Sequence, residues 1–298
     1  MDTLWTMILS GSGTWTGTSP LWLAVAAVIG YVVATWPGRA ARVAAGGARD
    51  PGPAPLGGGG GLPMRAAAAA LVAGWTLHLF VLMFDIGGWG QTAEGARLGF
   101  APVLSMTVWL VIAVHTVESR FVPLPAVRRV LAASGAAAVA LAWVFPGDVR
   151  AIDSTWAPLH FALGVASYGL FGVAVLHAAL LGNAERRLRL RGPGAGHGNG
   201  MPLLQLERLT FRFVDAGFVV LTATLALGIV HRAQWQWDHK TVFSLLGWAV
   251  FAALLLGRHL RGWRGRQATR WLYAGALLLL LSYVGSRFVL EVLLHRPL

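Results

Sequence analysis

The side chains able to do chemistry in this chain are nine histidines and one short stretch rich in tryptophan; among the 298 residues there is no cysteine. The missing thiols exclude disulfides, iron–sulfur clusters, thiolate metal sites and cysteine nucleophiles, so a transition metal must be held by imidazole or carboxylate. The stretch His231, Arg232, Ala233, Gln234, Trp235, Gln236, Trp237, Asp238, His239, Lys240, Thr241 gathers imidazoles, indoles, cations and a carboxylate within a few turns of chain. Imidazole ligates iron, indole covers a flat ring, and arginine or lysine pairs with acidic substituents. That combination suits a large planar metallated ring, and haem fits best. The carboxylates Asp85, Glu94, Asp148, Asp153 and Asp238 are scattered over separate loops, so no general acid and base pair is indicated. No HExxH, GxSxG or CxxCH occurs, and we expect no catalysis by the chain itself and no covalent attachment of haem.

The elements that must position these groups are set by composition. Hydrophobic residues make up 56% and charged residues 12%, with a mean hydropathy of +0.62, where a soluble domain carries about 25% charged residues. Apolar runs close to the ~20 residues needed to cross hydrocarbon occur at 18–36, 66–84, 101–117, 127–145, 157–181, 213–231, 241–257 and 271–294. The runs are continuous and lack strand alternation. They predict an all-α, polytopic membrane bundle of eight transmembrane helices. No lysine or arginine precedes the first run, which is read as a span and not a cleaved leader.

The net charge of +12 sits almost entirely on arginines between runs, which is a topological signal and not a nucleic-acid footprint. Loops after the first, third, fifth and seventh runs carry eighteen basic residues against five on the other side. That bias predicts both termini outside the cytoplasm in a multi-pass protein, with the arginine-rich loops on anionic lipid. The stretches 46–61 and 192–200, rich in glycine, read as flexible cytoplasmic linkers within a single membrane domain spanning 1–298.

With spans in place, depth sorts the histidines. His160 opens the fifth run and His239 precedes the seventh, so both lie at one outer level and are the candidate metal ligands. His177, on the same run as His160, is about 25 Å away along the helix and cannot share its iron. His78 lies in the outer half of the second run; His231 and His295 are also near the outer surface, and His197 falls in a linker. His115, His177 and His259 border the arginine-rich loops and read as ordinary interfacial side chains. Trp235 and Trp237 flank the expected ring, with Asp238 beside them; the competing reading places them with Trp89, Trp143 and Trp156 in the interfacial aromatic belt. Arg287 and Glu291, spaced i,i+4, are expected to neutralise each other within the last run.

The run from Gly228 through Trp235, Trp237, Asp238, Lys240 and Thr241 resembles a degenerate tryptophan-rich WWD signature of the cytochrome c assembly proteins, the CcsA, CcmC and HemX group, and is most similar to the YpjD subfamily. The likeness extends to Trp75 through His78, to Leu159, His160, Ser167 and Tyr168, to Met201 through Arg208, and to HKTVFSLLGW from His239, GWRGR from Gly262 and SYVGSRFV from Ser282. The resemblance implies a membrane protein that carries haem near the outer face between external histidines and serves cytochrome c assembly. By that likeness His160 corresponds to the first external histidine. The second is missing, because Tyr283, Val284, Gly285, Ser286 and Arg287 stand where the assembly proteins place a histidine. The partner ligand is then His239, or else His231, His78 or His295.

The expectation is a haem-binding or haem-trafficking protein taking b-type, non-covalent haem, with cytochrome c maturation proteins as partners. The competing expectation is a membrane scaffold or regulator of haem synthesis or cytochrome maturation that binds no haem.

Overall fold

A computed structural model describes residues 19–36, 64–86, 96–118, 125–150, 155–190, 203–231 and 237–294. All eight expected spans are helices: α1 (Leu21–Thr35), α2 (Met64–Asp85), α3 (Phe100–Glu118), α4 (Pro125–Val144), α5 (Ala157–Leu190), α6 (Leu203–His231), α7 (His239–Arg261) and α8 (Gly265–Leu293). Seven are long and apolar enough to cross a membrane. The described part of α1 has 15 residues, about 22 Å of rise, short of a ~30 Å hydrocarbon layer. The linkers expected at 46–61 and 192–200, and the side chains of Trp235, His231 and His295, lie outside the described residues.

Two helices outrun their apolar segments. α5 continues to Leu190 and α6 begins at Leu203, because Glu185, Arg186, Glu207 and Arg208 are good helix formers that extend the rod beyond the hydrocarbon. The helices pack in two groups. α1 to α4 enclose a core around Ala27, Tyr31, Leu71, Val81, Ile112 and Val139; α5 to α8 enclose another around Phe171, Val214, Phe251, Leu254 and Leu272. α3 lies against α5 and joins them. Where α1 crosses α2 the backbones nearly touch, since a Cβ on Gly30 would come 2.8 Å from the Gly74 Cα. Glycine pairs permit this close approach in lipid, where dispersion and not the hydrophobic effect holds helices together.

Two features lie outside the sequence reading. An antiparallel pair, β1 (Ala96–Arg97) with β2 (Val149–Arg150), ties the loop before α3 to the loop before α5. Behind it Gly147, with φ of 71°, meets Gly99 so closely that a Cβ on Gly147 would come 2.7 Å from the Gly99 Cα. In α8 the regular segment Gly265–Leu280 passes into a π turn at Leu281–Gly285, a short α segment at Ser286–Phe288 and a second π turn at Val289–Leu293.

Candidate functional site

A cavity of about 430 Å³ opens between α5, α6, α7 and α8 at the end of the bundle away from the arginine-rich loops. It is built from the start of α5, the end of α6, the first turn of α7 and the first π turn of α8, with Val103 of α3. The volume falls among small-molecule and cofactor pockets, roughly 300–1,000 Å³. Its walls include Val103, Phe161, Val165, Leu221, Leu225, Leu227 and Leu279, with polar groups from hydroxyls, Lys240, one indole and one imidazole.

That imidazole is His160. Its ring lies against α6 where the chain has glycine: a Cβ on Gly228 would come 3.1 Å from His160 Cε1 and 3.6 Å from Nδ1. Trp156, one turn earlier, also lines the cavity; the belt reading and the ring-flanking reading thus meet at a tryptophan the sequence assigned to the belt alone.

The first turn of α7 is set by Asp238. In extended conformation (φ −82°, ψ 162°), its carboxylate accepts the Thr241 N–H at 2.8 Å and caps the helix. The cap fixes which residues face inward. Lys240, Thr241 and Ser244 line the cavity; His239, the first helical residue, is exposed and does not line it. Trp237 is also outside the lining, with 73% of its surface exposed.

The π turn of α8 supplies Ser282 and Tyr283. A π turn shifts backbone pairing by one residue and leaves carbonyls needing new partners. Here the Leu279 carbonyl accepts from the Tyr168 hydroxyl and, at 2.8 Å, from Ser282 Oγ, while Tyr168 Oη and Ser282 Oγ are 2.9 Å apart. Ser286 Oγ donates to the Ser282 carbonyl at 2.9 Å. Tyr283 donates to the Leu98 carbonyl at 2.6 Å, and its ring centroid is 5.8 Å from Lys240 Nζ and 5.7 Å from the Arg287 guanidinium. Arg287 and Glu291 form the expected i,i+4 pair at 4.0 Å, and Glu291 also accepts the Phe100 N–H at 3.3 Å. Tyr168, Ser282 and Tyr283 were read from sequence only as part of a pattern; hydroxyls amid a leucine run were the available signal.

The remaining histidines lie elsewhere. His78 is fully buried in the α1–α4 group, with Nδ1 3.0 Å from Tyr31 Oη and Nε2 2.7 Å from Ser105 Oγ, so hydroxyls engage both nitrogens. His115 and His177, expected at an interface, are buried instead, and His177 Nε2 meets Glu118 Oε2 at 3.0 Å. Among the described residues no group of three or more His, Asp or Glu is placed to hold a metal ion.

The profile of the family described as Cytochrome C assembly protein matches residues 65–294. The chain belongs to that family. Similar proteins include the Inner membrane protein YpjD of Escherichia coli, 32% identical over 160 residues, which covers 52% of this chain and 60% of that protein. The Cytochrome c biogenesis protein CcsA of Prochlorococcus marinus is 24% identical over 237 residues, 67% of this chain and 75% of that protein. An uncharacterized 28.8 kDa protein of Azospirillum brasilense is 34% identical over 144 residues, 47% of this chain and 53% of that protein. The match thus spans less than two thirds of the length of YpjD. No solved structure is significantly similar. The family match starts at the foot of α2 and includes every residue that lines the cavity.

Proposed function

We propose that this member of the cytochrome c assembly family is a haem-handling protein of the bacterial inner membrane, holding b-type haem non-covalently at its outer end in the service of cytochrome c assembly. The observation that carries this reading is the cavity: apolar walls, one imidazole set against a glycine, and one lysine. These residues fit the group. His160 would offer its imidazole to the iron, Lys240 would pair with an acidic substituent, Trp156 would offer an indole face, and the leucine and valine walls would cover the apolar ring. His239 stands beside Lys240 in the first turn of α7 but is exposed and outside the cavity lining, so the fit rests on His160, and His239 is tested as a further ligand. Haem, when bound, supplies a redox-active iron; the chain supplies binding, orientation and apolar walls.

The test is optical. The protein is purified in mild detergent and titrated with haem, alongside His160→Ala, His239→Ala and Lys240→Ala. Loss of occupancy in His160→Ala, a spectral shift in His239→Ala and weaker binding in Lys240→Ala are expected. Unchanged occupancy and spectra in both histidine variants would remove the assignment. A membrane scaffold that binds no haem but recruits maturation or haem-synthesis proteins is the competing reading. In its favour, His160 is the one histidine lining the cavity among the described residues. A protein that takes up no haem yet co-purifies with such a partner decides for it.

A further inference from the structure

A second cavity, about 590 Å³, lies at the opposite end of the same two helices, between the end of α5 and the start of α8. Arg186, Arg266 and Arg270 line it together with Asn183, Thr269 and Glu185. Among the described residues, none of the three guanidinium groups has a hydrogen-bond or ion-pair partner, and Glu185 binds none of them. Three like charges around one cavity repel one another unless an anion joins them, and the planar fork of arginine matches phosphate oxygens. The space is open: a Cβ on Gly182 or Gly265 would meet no atom within 4 Å.

The level of the cavity is that of a headgroup. The α5 span ends at Arg186 and the α8 span begins at Gly265. Below Arg270 on one face of α8 come Tyr273, Leu277, Leu280 and Leu281, all large apolar side chains exposed at 39% to 56%. Their spacing of three and four residues makes a continuous stripe. From Arg270 to Leu281 the helix rises about 16 Å, the depth of one leaflet of a ~30 Å hydrocarbon core. Phosphate-binding groups above an apolar track one leaflet long describe a phospholipid better than a free ion.

We propose that this cavity is a specific site for an anionic phospholipid, its phosphate held by Arg186, Arg266 and Arg270 and an acyl chain lying along Tyr273, Leu277 and Leu281. The test uses the full chain in neutral detergent, with phosphatidylglycerol, phosphatidylcholine and inorganic phosphate added separately. Readouts are thermal unfolding and native mass spectrometry. Phosphatidylglycerol is expected to raise the unfolding temperature and remain bound at one equivalent, whereas phosphatidylcholine and inorganic phosphate do neither. Arg186→Gln, Arg266→Gln and Arg270→Gln each weaken this binding about fivefold. The control Arg208→Gln, Arg212→Gln, Arg261→Gln changes exposed arginines at the same end but outside the cavity, and keeps the affinity. Equal retention of phosphatidylcholine, equal stabilisation by inorganic phosphate, or equal loss in the control overturns the proposal. Each cavity variant is measured singly, and circular dichroism confirms its fold.

Discussion

Replacing Asp238 separates two roles for the carboxylate in the tryptophan-bearing loop. The sequence placed Asp238 at the cofactor; the geometry gives it the N-cap of α7, accepting the Thr241 N–H at 2.8 Å. Losing such a cap costs about 1 kcal/mol. The body of α7 stays anchored by the buried Gly247, Phe251 and Leu254, so the cost falls on the first turn. That turn carries Lys240 and Thr241 into the cavity. A bias of about 1 kcal/mol toward a frayed turn is roughly a fivefold shift in its equilibrium, and haem affinity should fall by up to that factor. Asn caps a helix nearly as well as Asp, so Asp238→Asn should cost only a few tenths of a kcal/mol. Differential scanning fluorimetry and an absorption titration with haem are run on Asp238→Ala and Asp238→Asn. The expected order is wild type and Asn close together, with Ala lower in both readouts. If Asn loses haem as fully as Ala while retaining wild-type stability, the charge itself contacts the ligand and the cap argument is refuted.

His78→Leu leaves the buried hydroxyls of Tyr31 and Ser105 without their imidazole; it should destabilise the fold by about 1–3 kcal/mol yet leave the spectrum of added haem unchanged, as a ligand substitution would not. Tyr168→Phe removes one of two hydroxyls on the Leu279 carbonyl. Because Ser282 still satisfies that carbonyl, the loss in thermal stability should sit near the low end, about 1 kcal/mol. Gly228→Ala gains up to about 1 kcal/mol of helix propensity while its Cβ, 3.1 Å from His160 Cε1, forces the ring to move. Unfolding temperature should hold or rise as haem affinity falls; equal affinity would mean that the ring position is irrelevant to binding.

The helices were legible because lipid forces them to be: every backbone group must pair within its own segment, and apolar runs betray each crossing. Hydropathy reads depth in the membrane and not helix length, which is why the charged extensions at Arg186 and Glu207 escaped it. Depth also set the level of the site: the cavity that His160 lines lies at the end of the bundle away from the arginine-rich loops. Rotation about the helix axis was not legible. Each residue turns 100°, so the difference between His239 and Lys240 facing the cavity depends on where the Asp238 cap starts the helix. His78 shows the same limit. Depth alone made it a candidate, but packing gave it to Tyr31 and Ser105 in the other helix group. The β1–β2 pair, two residues on each side and far apart in sequence, leaves no pattern to read.

The π turns of α8 explain how one span serves two environments. Over Gly265–Leu280 the buried positions Ala268, Leu272, Gly275 and Leu279 follow ordinary helical spacing, and the opposite stripe from Tyr273 to Leu281 stays exposed. An extra residue in the turn at Leu281–Gly285 advances everything beyond it by about 100° relative to a regular helix. That rotation occurs where Ser282 and Tyr283 meet the cavity and the Tyr283 hydroxyl reaches Leu98. Beyond it Glu291 reaches the Phe100 N–H. Both contacts tie α8 to the entry of α3, in the other helix group, so the wall carrying Tyr283 is braced from outside the four-helix group that forms most of the cavity. The phenol of Tyr283, held by the Leu98 carbonyl and near both Lys240 and Arg287, thus builds a wall of the same cavity that His160 lines.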